Sequence, residues 1–354
     1  MAKVELLDSE EQLKKTDRSG MLAVVAAMPE MLRQAQQFSA GVSLPARPVS
    51  RVIVTGMGGS AIAGDLAADL FYKKAKVPLT TVRGYALPEG VDGETLVIAL
   101  SYSGETEETV SAVKDAEKKG AQVVCVTAGG KLREIAEAKK YPVFLIPAGY
   151  QPRAALPFLL VCLLAALAKA GVAPDQTAEL TEAAALLQKL REEYKPAKPA
   201  RTNLAKQLAK KLFGKIPVVF GTAGTTGAVA YRAKCQFNEN SKLTAIANVF
   251  PELNHNELVN IAALRKDDNP FALIVLRDDD DNERVKKRIE ITKSLISCQL
   301  GGANELAGQG KSPLARLLSL IYCLDHVSVY LALLQGIDPT PVEIIGRLKK
   351  EMAR

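Results

Sequence analysis

Three hydroxyl side chains, Ser101, Ser103 and Thr106, crowd around Gly104 where an apolar run, Thr95 to Leu100, gives way to a charged stretch from about Glu105 to Lys119. A helix start carries unpaired backbone N–H donors and the positive end of the helix dipole, so hydroxyls placed there can complete a phosphate cradle. The same residues could instead cap the helix, with Glu107 or Glu108 favouring its first turn. Spacing alone leaves both uses open. A second small loop, Gly56-Met57-Gly58-Gly59-Ser60, follows the apolar run from Arg51 to Thr55. Its glycines let backbone N–H groups come close to an anion. The spacing GxGGS is not the dinucleotide fingerprint GxGxxG, and no Walker lysine follows.

Other candidates concern proton transfer and charge. Arg153 is a lone cation in Gln151-Pro152-Arg153-Ala154-Ala155-Leu156-Pro157, at the entry to an apolar helix. A guanidinium there could neutralise charge developing on a substrate oxygen, or it could simply cap a loop or pair with a carboxylate. Glu239 lies in Phe237-Asn238-Glu239-Asn240, and His255 in Asn254-His255-Asn256, each between amides. Such residues favour turns, so ordinary surface loops are the alternative for both. A carboxylate tuned upward and an imidazole suit a base that carries a proton between adjacent carbons and an acid/base that opens a sugar ring. The chain has only two histidines, and His326, in the apolar stretch around Leu324 to Leu334, reads as a core residue.

The elements that must position these residues alternate between short apolar strands and helices. Strand-like runs at Arg51–Thr55, Thr95–Leu100, Ala121–Thr127 and Tyr141–Ile146 are separated by helical stretches. The order repeats from Lys215–Phe220, through the loop Gly221–Gly227, to a second apolar strand at Pro270–Leu276. Fully apolar strands alternating with helices imply a parallel sheet covered on both faces. The expected fold class is α/β, with two doubly wound domains. The expected divisions are a helical N-terminal segment packed on the first domain (1–49), a first domain (50–193), a Pro- and Lys-bearing linker (194–201), and a second domain (202–354). In the second half the strand runs into Arg277 and then Asp278–Asp281, four carboxylates that would repel a phosphate; a solvated helix start is expected there. Only the first half should bind phosphate.

A formal charge of +7 admits nucleic acid, an anionic membrane or a small anionic substrate as partner. The lysines lie mostly in helix-like stretches such as Ala205–Lys215 with few aromatics, which argues against nucleic acid. Five well-spaced cysteines form no CxxC pair, so no zinc site is supported; buried thiols suit a reducing cytoplasm. Met1–Glu5 shows no export pattern, and the apolar run Leu156–Leu167 is too short to span a bilayer. A cytoplasmic protein without membrane attachment is expected.

Taken together, Gly56–Ser60, Ser101-Tyr102-Ser103-Gly104 with Thr106, Pro152–Pro157, Phe237–Asn240 and Asn254–Asn256 make the chain resemble the bifunctional phosphoglucose/phosphomannose isomerases of the sugar isomerase (SIS) superfamily. The resemblance covers most of the chain beyond its N-terminal segment. It implies two flavodoxin-like SIS domains, a sugar-phosphate substrate, no metal or other cofactor, and a homodimer. By the same resemblance Gly59 and Ser60 flank the sugar phosphate, while Ser101, Ser103 and Thr106 bind its oxygens. Arg153 would stabilise a cis-enediolate, Glu239 would move the proton between C1 and C2, and His255, donated by the partner subunit, would open the ring. The family's C-terminal threonine, which admits both C2 epimers, corresponds to Thr340, or to Val342 when counted back from the family lysine at Lys349. The chain departs from the usual loop in having Glu105 where asparagine is common. Other readings are a non-catalytic sugar-phosphate sensor and an isomerase acting on an amino-sugar phosphate.

Overall fold

The computed structural model describes residues 6–264, 270–300 and 302–352, apart from the side chains of residues 297 and 298; the thiol of Cys298 therefore lies outside the described part. The first half forms a five-stranded sheet of β1 (Arg51–Gly56), β2 (Leu79–Val82), β3 (Thr95–Ser101), β4 (Gln122–Thr127) and β5 (Val143–Leu145), in the order β2-β1-β3-β4-β5. Every neighbouring pair is parallel. The second half forms a four-stranded parallel sheet of β6 (Ile216–Thr222), β7 (Ile246–Phe250), β8 (Phe271–Arg277) and β9 (Ala303–Ala307), in the order β7-β6-β8-β9. Both sheets are doubly wound.

β3 is buried at every residue, as its unbroken apolar sequence requires in a strand covered on both faces. On one side Ile53, Val97, Ala99, Val123 and Cys125 pack against Val113 and Leu132. The corresponding core of the second sheet gathers Phe220, Phe250, Leu273 and Val275 with Ile289 and Ile296. The helix Leu156–Lys169, apolar on nearly every side, packs on the helices Met28–Ala40 and Gly58–Leu70. The helix Pro313–Leu334 is long and apolar enough to cross a membrane, but its apolar window is wholly buried within the protein, as a core helix is.

The chain divides into two compact units. One comprises Met28–Ala185 with Gly310–Ala315, and the other comprises Met1–Ala27, Leu186–Gln309 and Arg316–Arg354. The N-terminal segment is thus shared between them, and its first helices belong to the unit built on the second sheet. The proline-bearing stretch 194–201 is held from beneath. The fully buried Lys206 Nζ donates to the carbonyls of Pro196 (2.6 Å) and Lys198 (2.8 Å), and Asp8 accepts from the Ala200 N–H (2.7 Å).

In each sheet the chain enters at a central strand, steps to one side, and returns to the other. That reversal separates β1 from β3 and β6 from β8, leaving a crevice beyond their carboxyl ends. Gly56 pairs in register with Leu100, so the loops after β1 and β3 emerge side by side.

Candidate active site

The first crevice brings together Gly59, Ser60, Ser101, Ser103 and Thr106. Ser101 is buried, and its hydroxyl donates to Thr106 Oγ1 (3.1 Å) while accepting from the Gly104 N–H (3.1 Å). Ser60 Oγ, from the neighbouring loop, accepts the Tyr102 N–H (3.2 Å), tying the two loops together. Gly104 has φ +71°, and a Cβ there would lie 1.7 Å from the Gly129 carbonyl oxygen, so the turn admits only glycine. Thr106 occupies the N-cap position of the helix Glu107–Lys118, yet its side chain makes no capping bond. The Ser103 hydroxyl, exposed, accepts only from the Glu105 N–H just before the helix (3.2 Å). Simple capping therefore does not account for these hydroxyls. Glu105 turns its carboxylate to the adjacent helix Gly130–Lys139, where Oε1 accepts the Lys131 N–H (3.0 Å), and a helix N-terminus is a favourable place for that charge.

Arg153 is only 2% exposed and sits in a turn closed by the Ala154 and Ala155 N–H groups on the Gln151 carbonyl (2.8 and 3.1 Å). Gly59 is what allows this approach, because a Cβ there would meet Arg153 Cα at 2.8 Å and Arg153 N at 2.9 Å. The Arg153 turn thus lies against the start of the helix Gly58–Leu70, which follows β1.

Glu239 and His255 belong to the other unit. Glu239, half-buried, ends the helix Gly227–Glu239. A buried polar stripe at helical spacing fixes that helix: Arg232 Nη2 and Gln236 Nε2 both donate to Asp325 (2.6 and 2.9 Å), and Asn240 Nδ2 donates to Ser328 Oγ (2.9 Å). Lys242 Nζ donates to the carbonyls of Glu239 and Pro339, which joins the helix end at Glu239 to the residue before Thr340. Thr340, half-buried, is held by its N–H on Asp338 Oδ1 (3.0 Å). His255 is exposed at the end of a short 3-10 turn, Glu252–His255. Its neighbours are both engaged: Asn254 donates to Thr292 Oγ1 (2.7 Å) and Asn256 caps the next helix through the Glu257 N–H (2.7 Å). Lys349 lies exposed on the helix Glu343–Met352, which buries none of its residues, and the structure does not bring it together with Glu239, His255 or Thr340 through a hydrogen bond.

The counterpart crevice of the second sheet corrects one expectation in part. Asp279 and Asp280 are exposed, as at a solvated helix start, but the carboxylates of Asp278 and Asp281 are buried. Arg316 forks onto Asp278 through Nε and Nη2 (both 3.0 Å) and reaches Asp280 (2.6 Å). Asp281, 3% exposed, accepts from the Thr225 hydroxyl (2.6 Å) and the Asp278 N–H (3.1 Å). Four adjacent carboxylates are tolerable because a guanidinium from a distant helix and a threonine from the β6 loop reach three of them and Asp279 is exposed to water, which sequence adjacency could not reveal.

The bacterial phospho-glucose isomerase C-terminal SIS domain matches residues 201–352, and the SIS domain matches residues 47–155. A bifunctional phosphoglucose/phosphomannose isomerase of Caldicellulosiruptor bescii is 44% identical over 335 residues, covering 94% of this chain and 99% of that protein. The chain belongs to the bifunctional phosphoglucose/phosphomannose isomerase family. A second family member, from Aquifex aeolicus, is 37% identical over 87% of this chain and 92% of its own. Among solved structures, a hypothetical protein of Thermus thermophilus shares the fold, with a TM-score of 0.73 at 18% identity over 96% of this chain and 94% of that one.

Within this isomerase-family chain, His326 is buried among the rings of Tyr194, Tyr322 and Tyr330, with Nδ1 on the Tyr322 carbonyl (2.8 Å). Burial holds its imidazole down to about 4, so it is a neutral core residue. Burial likewise pushes the thiols of Cys125, Cys162 and Cys323 up to about 12, leaving them inert. Three supporting residues escape sequence reasoning altogether: Tyr102, Lys242 and Asp325. Their partners are distant in sequence or are backbone groups, so no motif spacing marks them.

Proposed function

We propose that the protein interconverts glucose 6-phosphate and mannose 6-phosphate with fructose 6-phosphate through a cis-enediolate. The observation that carries this reading is the first-sheet crevice, where Ser60, Ser101 and Thr106 surround a helix start and Arg153 is buried against Gly59, in a chain of this family. The phosphate would lie on the hydroxyls and the N-terminus of Glu107–Lys118, with Gly59 allowing close backbone approach. Glu239 would take the C2 proton of the aldose and return it to C1, and Arg153 would stabilise the negative enediolate oxygen. His255 would open the sugar ring, donated by the second subunit of a homodimer; its exposed position on a turn whose flanks are both tied down supports an outward-facing role. Thr340 would line the C2 pocket, a reading supported by the Lys242 bridge that leads from Glu239 to Pro339. Lys349 would approach the substrate from the C-terminal helix. The reaction would run in the cytoplasm, to which the buried free thiols are suited.

The test is a coupled assay of the purified protein with fructose 6-phosphate, scoring both aldose phosphates, with glucosamine 6-phosphate run alongside. Appearance of glucose 6-phosphate and mannose 6-phosphate is expected. Binding of fructose 6-phosphate without either product would make the protein a sensor, and turnover confined to the amino sugar would assign a different isomerase.

A further inference from the structure

We infer that Tyr102 is a positioning residue that holds Arg153 beside the phosphate loop, an inference that rests on the isomerase reading above. Tyr102 stands between Ser101 and Ser103, yet each of its polar groups is engaged within the protein. Its N–H donates to Ser60 Oγ (3.2 Å) and its carbonyl accepts from the Ala128 N–H (2.9 Å). Its hydroxyl donates to the Pro147 carbonyl (3.1 Å) and accepts from the Tyr150 N–H (2.7 Å). The side chain is nearly buried, at 7% residue exposure. Its ring therefore crosses from the phosphate loop to the segment that delivers Arg153.

The geometry divides the work between two supports. Gly59 lies under the Arg153 backbone and stops it from moving inward, since even a Cβ would come within 2.8 Å. On the other side the Tyr102 hydroxyl, bonded at Pro147 and Tyr150, restrains the segment, with the Tyr150 ring resting on Phe158 (centroids 5.6 Å apart). Between Tyr150 and Arg153 the chain is the tight turn closed on the Gln151 carbonyl, so a displacement at Tyr150 passes directly to the arginine. The phosphate-binding hydroxyls do not depend on this hydroxyl. Losing it should move the cation that stabilises the enediolate while leaving the phosphate site standing.

Four proteins test this: wild type, Tyr102→Phe, Arg153→Lys and the double variant. For Tyr102→Phe, kcat with fructose 6-phosphate should fall roughly tenfold to a hundredfold, the scale of a misplaced catalytic group. KM and competitive inhibition by inorganic phosphate should stay within about twofold. In the Arg153→Lys background the same change should cost less than about twofold, because a residue acting through Arg153 has nothing further to lose. Equal losses in both backgrounds overturn the inference, as does phosphate inhibition that weakens in step with kcat. Gly149→Ala disturbs the same segment by a different route, since Gly149 has φ +97° with open space where Cβ would go. It should reproduce the pattern even if Tyr102→Phe does not fold. A readout without turnover is calorimetric binding of a sugar-acid hydroxamate bearing the terminal phosphate, an anionic mimic of the enediolate. Tyr102→Phe should weaken it about tenfold with Arg153 present and leave it unchanged with lysine. If the wild type turns over none of the sugar phosphates, the isomerase reading falls and the hydroxamate decides alone; unchanged affinity, or no binding to the wild type, overturns the role of Tyr102.

Discussion

At the switch point of the first sheet the β3 loop presents Ser101-Tyr102-Ser103-Gly104; at that of the second, the β8 loop presents Asp278–Asp281. The strand order reverses at the same place in both sheets, and in each a helix start follows the strand. The difference lies in what answers the loop. In the first crevice Ser101 and Thr106 bond to each other and a glycine turn, with no carboxylate among their bonds. In the second, the Thr225 hydroxyl is spent on Asp281, and Arg316 neutralises Asp278 and Asp280. A doubly wound sheet supplies a crevice wherever the strand order reverses. The two crevices differ in local charge: hydroxyls and a glycine turn line the first, and carboxylates paired with the chain's own guanidinium line the second.

The largest expected effect probes whether the second half contributes chemistry instead of phosphate binding. Glu239→Gln should lower kcat roughly a hundredfold to ten-thousandfold, with phosphate inhibition retained. C2-proton exchange with solvent at the wild-type rate would remove Glu239 as the base.

Next comes the second crevice itself. Arg316→Met leaves Asp278 buried and uncompensated, which should cost about 3–5 kcal/mol of stability in chemical denaturation. KM for the sugar phosphate should be unaffected, and a rise in KM in the folded variant would mean the second crevice takes part in binding.

Acid should also distinguish the two units, because the first has no histidine. His326 is neutral in the fold, with its pKa lowered to about 4 by burial against an ordinary 6.5. A lowered imidazole pKa means the unfolded chain binds the proton first. Its stabilising contribution is therefore complete above about pH 6.5 and is lost as pH falls toward 4, a swing of about 3 kcal/mol. Melting curves between pH 7 and 4.5 should show this slope, and His326→Gln should flatten it; an unchanged slope would place the acid sensitivity elsewhere.

The smallest effect contrasts single hydroxyls. Ser101→Ala should weaken inorganic phosphate binding by about 1.5–3 kcal/mol, the range for a charge-assisted hydrogen bond. Thr225→Ala, the matching change in the second crevice, should leave phosphate affinity as it was. Equal losses would erase the distinction between the two crevices.

Strands without polar interruption were legible from composition, because burial on both faces demands it: β1, β3, β4, β6 and β8 all fall on runs that read as strands. Of the four edge strands only β5 was, within Tyr141–Ile146; the other three were not. Leu79–Val82, Ile246–Phe250 and Ala303–Ala307 lie at sheet edges, are only partly buried, and mix in polar residues; Ala303-Asn304-Glu305-Leu306-Ala307 even favours a helix by propensity. Pairing with a central strand overrides that preference.

The sequence alone determined the double α/β plan, the hydroxyl loop after β3 and the core role of His326, because each depends on residues close together along the chain. Tertiary structure alone decided that Glu105 serves the neighbouring helix, that Arg316 pairs with Asp278, that Arg153 rests on Gly59, and that the Tyr102 hydroxyl meets the Tyr150 N–H. Each of these joins groups tens of residues apart. Hydrogen bonds and ion pairs act over about 3 Å of space, so until the sheets set which loops are neighbours, sequence spacing carries no record of them.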